Sequence, residues 1–212
     1  SHDDWKDQTY FLFTLGREIL RHIMFPVGHL TKPEVREIAV ARGLGVARKK
    51  DSTGICFIGK GGHAEFIEQR VAKDLLKPGL IRQYPSGDEL GHHTGIHNFT
   101  YGQRKGLGVA TGTPLYVVRV DADTHTVWLG EEQHLYSKHL TIKNMNWLSD
   151  VSEGQEFTVK IRFQHKGAAA QVRRFNGDRL ELEFSEPQRA ITPGQAAVFY
   201  REKQLVGGGW IL

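Results

Sequence analysis

The hydrophobic period of this chain changes once, near residue 77, and that change limits what the chain can fold into. Before it, apolar residues recur at helical spacing; after it, they come in short alternating runs cut by turn residues. In residues 7–23, Phe11, Leu15, Ile19 and Ile23 lie four apart, with Leu12 and Leu20 beside them, which predicts one amphipathic helix. Phe25-Pro26-Val27-Gly28 breaks it. Thr31-Lys32-Pro33-Glu34 reads as a capping box, with Val35, Ile38 and Ala39 as the buried stripe and Gly43 as a left-handed terminator. Ile67, Val71 and Leu75 predict a third helix over 64–76, ended by Lys77-Pro78-Gly79.

Strands are expected at 115–120, 126–129, 140–147, 157–163, 168–175, 179–184 and 196–200. Asp121-Ala122-Asp123-Thr124 turns the first of these into the second, and Asn176-Gly177 is the strongest hairpin signal. Short strands with regular turns suggest a small barrel. The fold class is therefore α+β, with boundaries near residues 50 and 134. No apolar run is long enough to span a bilayer, so no membrane partner is expected. The net charge is +4, and a pI of about 9.2 suits a polyanion such as nucleic acid.

The chain has one cysteine, Cys56, within Asp51-Ser52-Thr53-Gly54-Ile55-Cys56-Phe57-Ile58-Gly59. A lone cysteine forms no internal disulfide and points to a reducing, cytoplasmic setting. Arg48, Lys49 and Lys50 precede it and favour the thiolate, whereas Asp51 opposes them. Two readings stay open on these residues: a nucleophile or sulfur carrier, and a strand cysteine packed between Ile55 and Phe57. A cysteine hydrolase would need a His poised on the thiol, and no such His can be picked out. His92, His93 and His97 are too loosely spaced for a metal site, so no metal is expected.

Thr100-Tyr101-Gly102-Gln103-Arg104-Lys105-Gly106-Leu107-Gly108 suits a phosphate backbone, with Arg104 and Lys105 pairing and Tyr101 stacking. Residues 158–179 carry Lys160, Arg162, Lys166, Arg173, Arg174 and Arg179 against the single acid Asp178. A solvated sheet face is the plain alternative for these cations.

The Cys56 segment resembles the signature around the second catalytic cysteine of the tRNA-specific 2-thiouridylases. Four further segments match in order: Lys6-Asp7-Gln8-Thr9-Tyr10-Phe11-Leu12, Phe25-Pro26-Val27-Gly28, Gly102-Gln103-Arg104-Lys105-Gly106-Leu107-Gly108, and Thr192-Pro193-Gly194-Gln195-Ala196-Ala197-Val198-Phe199-Tyr200. The resemblance covers essentially the whole chain. It implies the helical remainder of an α/β ATP-pyrophosphatase domain (1–50), a small central α+β domain with the Cys56 loop (51–133), and a C-terminal antiparallel β-barrel that binds tRNA (134–212). Such enzymes adenylate the wobble uridine and displace AMP with sulfur from a cysteine persulfide, leaving 2-thiouridine.

By resemblance, Cys56 carries the persulfide, supplied by a sulfur-donor protein. Lys6, Asp7, Gln8, Arg162, Phe163 and Gln195 contact tRNA, with Phe163 where Tyr is common. The family's ATP-binding Ser-Gly-Gly-Val-Asp-Ser loop and its other catalytic cysteine do not occur here. ATP is thus expected to bind an absent N-terminal domain, and this chain is expected not to adenylate uridine alone. The alternative is a non-catalytic RNA-binding barrel module with a structural cysteine.

Overall fold

In the computed structural model, residues 2–49, 51, 62–72 and 76–212 are described. Cys56 and Lys50 lie outside the described residues. The chain divides into two compact units: Ser1–Asp51 with Lys138–Pro187 and Thr192–Leu212, and Ser52–Ser137 with Gln188–Ile191. Among the described residues no helix is long and apolar enough to cross a membrane.

The first unit is built on a closed barrel in the order β10-β5-β8-β7-β6-β9. Its strands are β5 (Tyr136–Trp147), β6 (Glu156–Lys160), β7 (Ala168–Asn176), β8 (Arg179–Arg189), β9 (Ala196–Arg201) and β10 (Gln204–Ile211). The expected β7–β8 hairpin is present. Asn176 pairs with Arg179, so Gly177 and Asp178 form the turn. Alternation sends Leu180, Leu182 and Phe184 of β8 inward, together with Val159 and Val172.

β9 does not alternate, because every residue from Ala196 to Tyr200 is buried. Its Phe199 face points into the barrel, where that ring meets Trp147 and Phe157 edge-on. Its other face, Ala196, Val198 and Tyr200, is covered by Tyr10 and Phe13. A strand buried on both sides reads as a continuous apolar run, as this one does.

The covering segment corrects the expectation of one helix over 7–23. Residues Thr9–Thr14 form a 3₁₀ helix, Leu15 and Gly16 are extended, and α1 spans only Arg17–Arg21. The physical cause is Asn146, whose Nδ2 donates to the carbonyls of Phe13 (2.6 Å) and Leu15 (3.0 Å). Those are the acceptors a continuing α-helix would use. The buried stripe is also different: Tyr10 and Phe13 are inside, three apart, while Phe11 and Ile19 are 55% and 53% exposed.

α2 (Lys32–Ala41) begins on the expected capping box, and Gly43 follows it at φ 67°. Its Ile38, expected inside, is exposed.

The second unit holds a four-stranded sheet in the order β2-β1-β4-β3. The strands are β1 (Gly79–Gln83), β2 (Glu89–His93), β3 (Tyr116–Asp121) and β4 (Thr126–Gly130). β1 and β4 are parallel, and the other pairings are antiparallel. Ile81, Leu107, Leu115, Val117, Val127 and Leu129 form its core. α3 is shorter than expected, Gly62–Glu68, and among the described residues it does not continue to 76.

Candidate functional site

Three of the segments expected to touch tRNA converge in the first unit. The Asp7 carboxylate takes the Thr9 N–H at 3.2 Å and the Thr9 hydroxyl at 2.7 Å, a local cap that fixes the start of the 3₁₀ turn. Thr9 Oγ1 also lies 3.2 Å from the Tyr200 hydroxyl. The Tyr10 hydroxyl donates to the carbonyl of Ala196 at 2.9 Å, next to Gln195. Burial pushes the Tyr10 phenol up to about 12, so it stays a neutral donor at any working pH.

Above this buried base lie the exposed groups. Phe11 packs on Phe163 with ring centroids 4.7 Å apart and planes 32° apart, and Tyr10 meets both rings edge-on. Arg162 is exposed and close enough for its charge to act on the Tyr10 hydroxyl. Lys160 Nζ sits 5.1 Å over the Tyr200 ring, a cation–π contact. Gln8 and Gln195 are exposed at the edges. The result is a small aromatic step flanked by cations, held from below by hydrogen bonds.

Lys6 does not join the aromatic step. Its Nζ is 2.8 Å from Asp51, which also meets Lys32 at 3.2 Å and Arg36 at 3.4 Å. Asp51, expected to oppose the cations before Cys56, is thus engaged by three other cations. The exposed Arg48 and Lys49 lie in a turn closed by the Lys49 N–H donating to the Val46 carbonyl. How they stand toward Cys56 lies outside the described residues.

The hydrogen bonds from Lys6 and then Lys32 hold the Asp51 carboxyl at about 2, below its ordinary 3.8. A lowered folded-state pKa stabilises the fold above the unfolded value, and the effect fades as pH falls toward the folded one. The melting-temperature advantage of wild type over Asp51→Asn is therefore expected to be constant above about pH 5, to shrink below it, and to be largely lost by about pH 2. Thermal melts of both proteins from pH 2 to 6 check this, and a gap that persists unchanged at pH 2 would contradict it.

Arg104 and Lys105 belong to the second unit and are exposed there. Gln103 shapes their loop: its side chain takes the Thr100 N–H at 2.9 Å and donates to the Lys105 carbonyl at 3.0 Å. Leu107 anchors the loop in the core, between Gly106 and Gly108 at φ 72° and 73°, where a side chain would be strained. An open groove of about 670 Å³ runs beside Arg104 along residues 104–115. Tyr101 departs from the expected stacking role. It is half-buried, burial raises its hydroxyl, and the main chain of Val120 engages that hydroxyl.

The histidines go separate ways. His93 Nε2 is 3.0 Å from the His125 carbonyl, and burial lowers its pKa. His97 Nε2 is 3.0 Å from Glu68, which ties α3 to the turn at Ile96–Asn98. His92 lies 3.8 Å from the Glu89 carboxylate. Among the described residues no group of three metal-ligating side chains occurs.

The N-terminus of α2 is capped by the chain's own carboxylate: Glu34 accepts the Thr31 N–H at 2.6 Å and the Thr31 hydroxyl at 2.7 Å.

Of the residues that the resemblance names, Asp7, Arg162, Phe163 and Gln195 lie on segments that meet around Tyr10, whereas Lys6 pairs with Asp51; the Tyr10–Phe11–Phe163 contacts and the hold of Lys32 and Arg36 on Asp51 have no local sequence signal. The Asp7-x-Thr9 spacing, a local capping pattern, was the available signal for a tight turn in place of a helix.

Three family models match consecutive parts of the chain: a tRNA methyl transferase HUP domain over residues 1–60, a tRNA methyl transferase PRC-barrel domain over 64–131, and an aminomethyltransferase beta-barrel domain over 137–211. Among curated relatives, the chain is 46% identical to a tRNA-specific 2-thiouridylase MnmA of Koribacter versatilis, over 99% of this chain and 58% of that protein. It is 45% identical to the protein of that name from Acidobacterium capsulatum, over 99% and 59%. It is 40% identical to tRNA-specific 2-thiouridylase MnmA 2 of Syntrophus aciditrophicus, over 99% and 67%. The chain thus spans about three fifths of the first relatives' length.

Proposed function

The chain belongs to the family of tRNA-specific 2-thiouridylases, and on that footing we propose that it is the tRNA-binding and sulfur-carrying part of such an enzyme. The matching models speak of methyl transfer, whereas the relatives are named for thiolation. The relatives weigh more, because they align with 99% of the chain at 40% identity or better.

In this reading residues 1–50 are the end of the catalytic domain, 51–133 the central domain and 134–212 the tRNA-binding barrel. Cys56 takes sulfur from a donor protein's persulfide. Its thiolate attacks the outer sulfur, a new S–S bond forms, and the donor leaves as its own thiolate. Lys6, Asp7, Gln8, Arg162, Phe163, Gln195, Arg104 and Lys105 orient the tRNA. ATP is bound and uridine adenylated by residues outside this chain, so the chain alone makes no 2-thiouridine. A lone thiol fits the cytoplasm, where it stays reduced.

One observation carries the proposal. Segments far apart in sequence, around Asp7, Arg162 and Gln195, share one exposed surface over the buried Tyr10, which bonds to Ala196. An exposed aromatic beside cations is what an unpaired nucleotide needs.

Fluorescence anisotropy with an unmodified tRNA transcript at several salt concentrations tests it. Wild type should bind, with affinity falling as salt rises. Arg162→Ala should bind more weakly and lower the salt slope by about 1, the loss of one phosphate contact. Equal affinities and slopes for the two proteins would remove Arg162 from the interface.

A further inference from the structure

We propose that Phe11, together with Phe163, forms a stacking platform for a single unpaired RNA base. The inference rests on the tRNA-binding reading of this surface and adds to it a residue and a kind of contact.

Phe11 keeps its ring at the surface beside a second exposed aromatic, Phe163. It is 55% exposed and Phe163 is 39% exposed, although both sit beside a well-packed core. The segment beneath is rigid. Tyr10 and Phe13 are buried against β9, Asp7 caps the turn through Thr9, and Asn146 fixes the carbonyls of Phe13 and Leu15. The 3₁₀ spacing that turns positions 10 and 13 inward turns position 11 outward. Phe11 is thus pre-oriented, and a base that docks on it orders little that is not already ordered.

The geometry also says where the base goes. The ring centroids stand 4.7 Å apart. Rings this close are already in contact with each other and leave no slot for a base between them, so the base lies on an outward face. Phe11 offers the larger exposed surface of the two. Arg162, next in sequence to Phe163 and close enough to act on the Tyr10 hydroxyl, supplies positive charge for a flanking phosphate, and Lys160 sits over the neighbouring Tyr200 ring. An apolar protein partner would gain nothing from those cations. A paired duplex presents no free base face, so the ligand is an unstacked base in a loop or single strand.

The test uses the 212-residue chain and two labelled RNAs: a hairpin with an unpaired loop, and a fully paired duplex of similar length. Phe11→Ala should weaken binding to the looped hairpin by roughly tenfold, the usual effect of losing one base–aromatic stack, and leave duplex binding unchanged. Phe11→Leu, which keeps apolar bulk without a ring, should weaken it similarly, whereas Phe11→Trp should restore it. Phe11→Leu and Phe11→Trp should melt close to wild type, and Phe11→Ala should lose only the modest contribution of its contacts with Phe163 and Tyr10, so Phe11→Leu is the variant that separates loss of stacking from loss of fold.

Wild-type affinity for the looped RNA in both Phe11→Ala and Phe11→Leu, with Arg162→Ala still weakened, would overturn the platform and leave the tRNA-binding reading standing. No binding of looped RNA by wild type would overturn both. A dimer in sedimentation that Phe11→Ala disrupts, with RNA affinity unchanged, would assign the ring to a second copy of the chain and overturn the platform.

Discussion

A Cys56→Ser chain is expected to take up no sulfur from a persulfide donor, while the wild-type chain gains one sulfur atom. The loss should be complete, because the step requires a thiolate and ends in an S–S bond. A serine hydroxyl is not ionised at neutral pH and cannot form that bond. Cys56 is the only cysteine, so no second thiol can mask the result. The nearest carboxylate upstream is Asp51, whose charge would otherwise disfavour a thiolate. It is engaged by Lys6, Lys32 and Arg36, which leaves Arg48 and Lys49 with less competing negative charge. Intact mass before and after treatment with a small persulfide, followed by reduction, reads the outcome. A wild-type chain that gains no sulfur would favour the structural-cysteine alternative. A serine variant that gains as much as wild type would place the chemistry elsewhere.

How far the sequence reaches depends on which interaction decides each element. β5 to β8 are legible because alternation and turn residues are local signals, and Thr31 with Glu34 announces α2 because a capping box is complete within four residues. The 7–23 segment was misread because its structure is decided by Asn146, more than 130 residues away, which takes carbonyls that the helical pattern would have used. The same distance hides the candidate site. Each of Asp7, Arg162 and Gln195 was named from a resemblance. Their meeting over Tyr10 depends on β9 being buried on both faces, which no local pattern announces. Phe11 was assigned to a buried stripe for the same reason: a one-residue shift in which positions face inward turns a core residue into a surface one. β10 went unread because Gly207-Gly208-Gly209 resembles a turn.

Those glycines lead to the second large effect. Gly208→Val should lower stability by about 1–3 kcal/mol, the usual cost of forcing bulk into a packed site, and should weaken looped-RNA binding with it. A Cβ at position 208 would lie 2.7 Å from the Ala197 carbonyl oxygen and 2.9 Å from Phe13 Cδ2. The carbonyl cannot move cheaply, because Val198 and Ala197 pair with Gly208 and Gly209 in the β9–β10 ladder. The ring can. Relief therefore comes by pushing Phe13 off the barrel, and with it the turn that carries Tyr10 and Phe11. Gly45→Val is the control, since nothing lies within 4 Å of a Cβ there, and it should stay within about 0.5 kcal/mol of wild type. Thermal melts and RNA anisotropy on the same samples separate two cases. Lower stability with unchanged RNA affinity would mean that the barrel absorbs the strain without releasing Phe13. A parallel loss of both would tie the RNA surface to the absence of one side chain on β10.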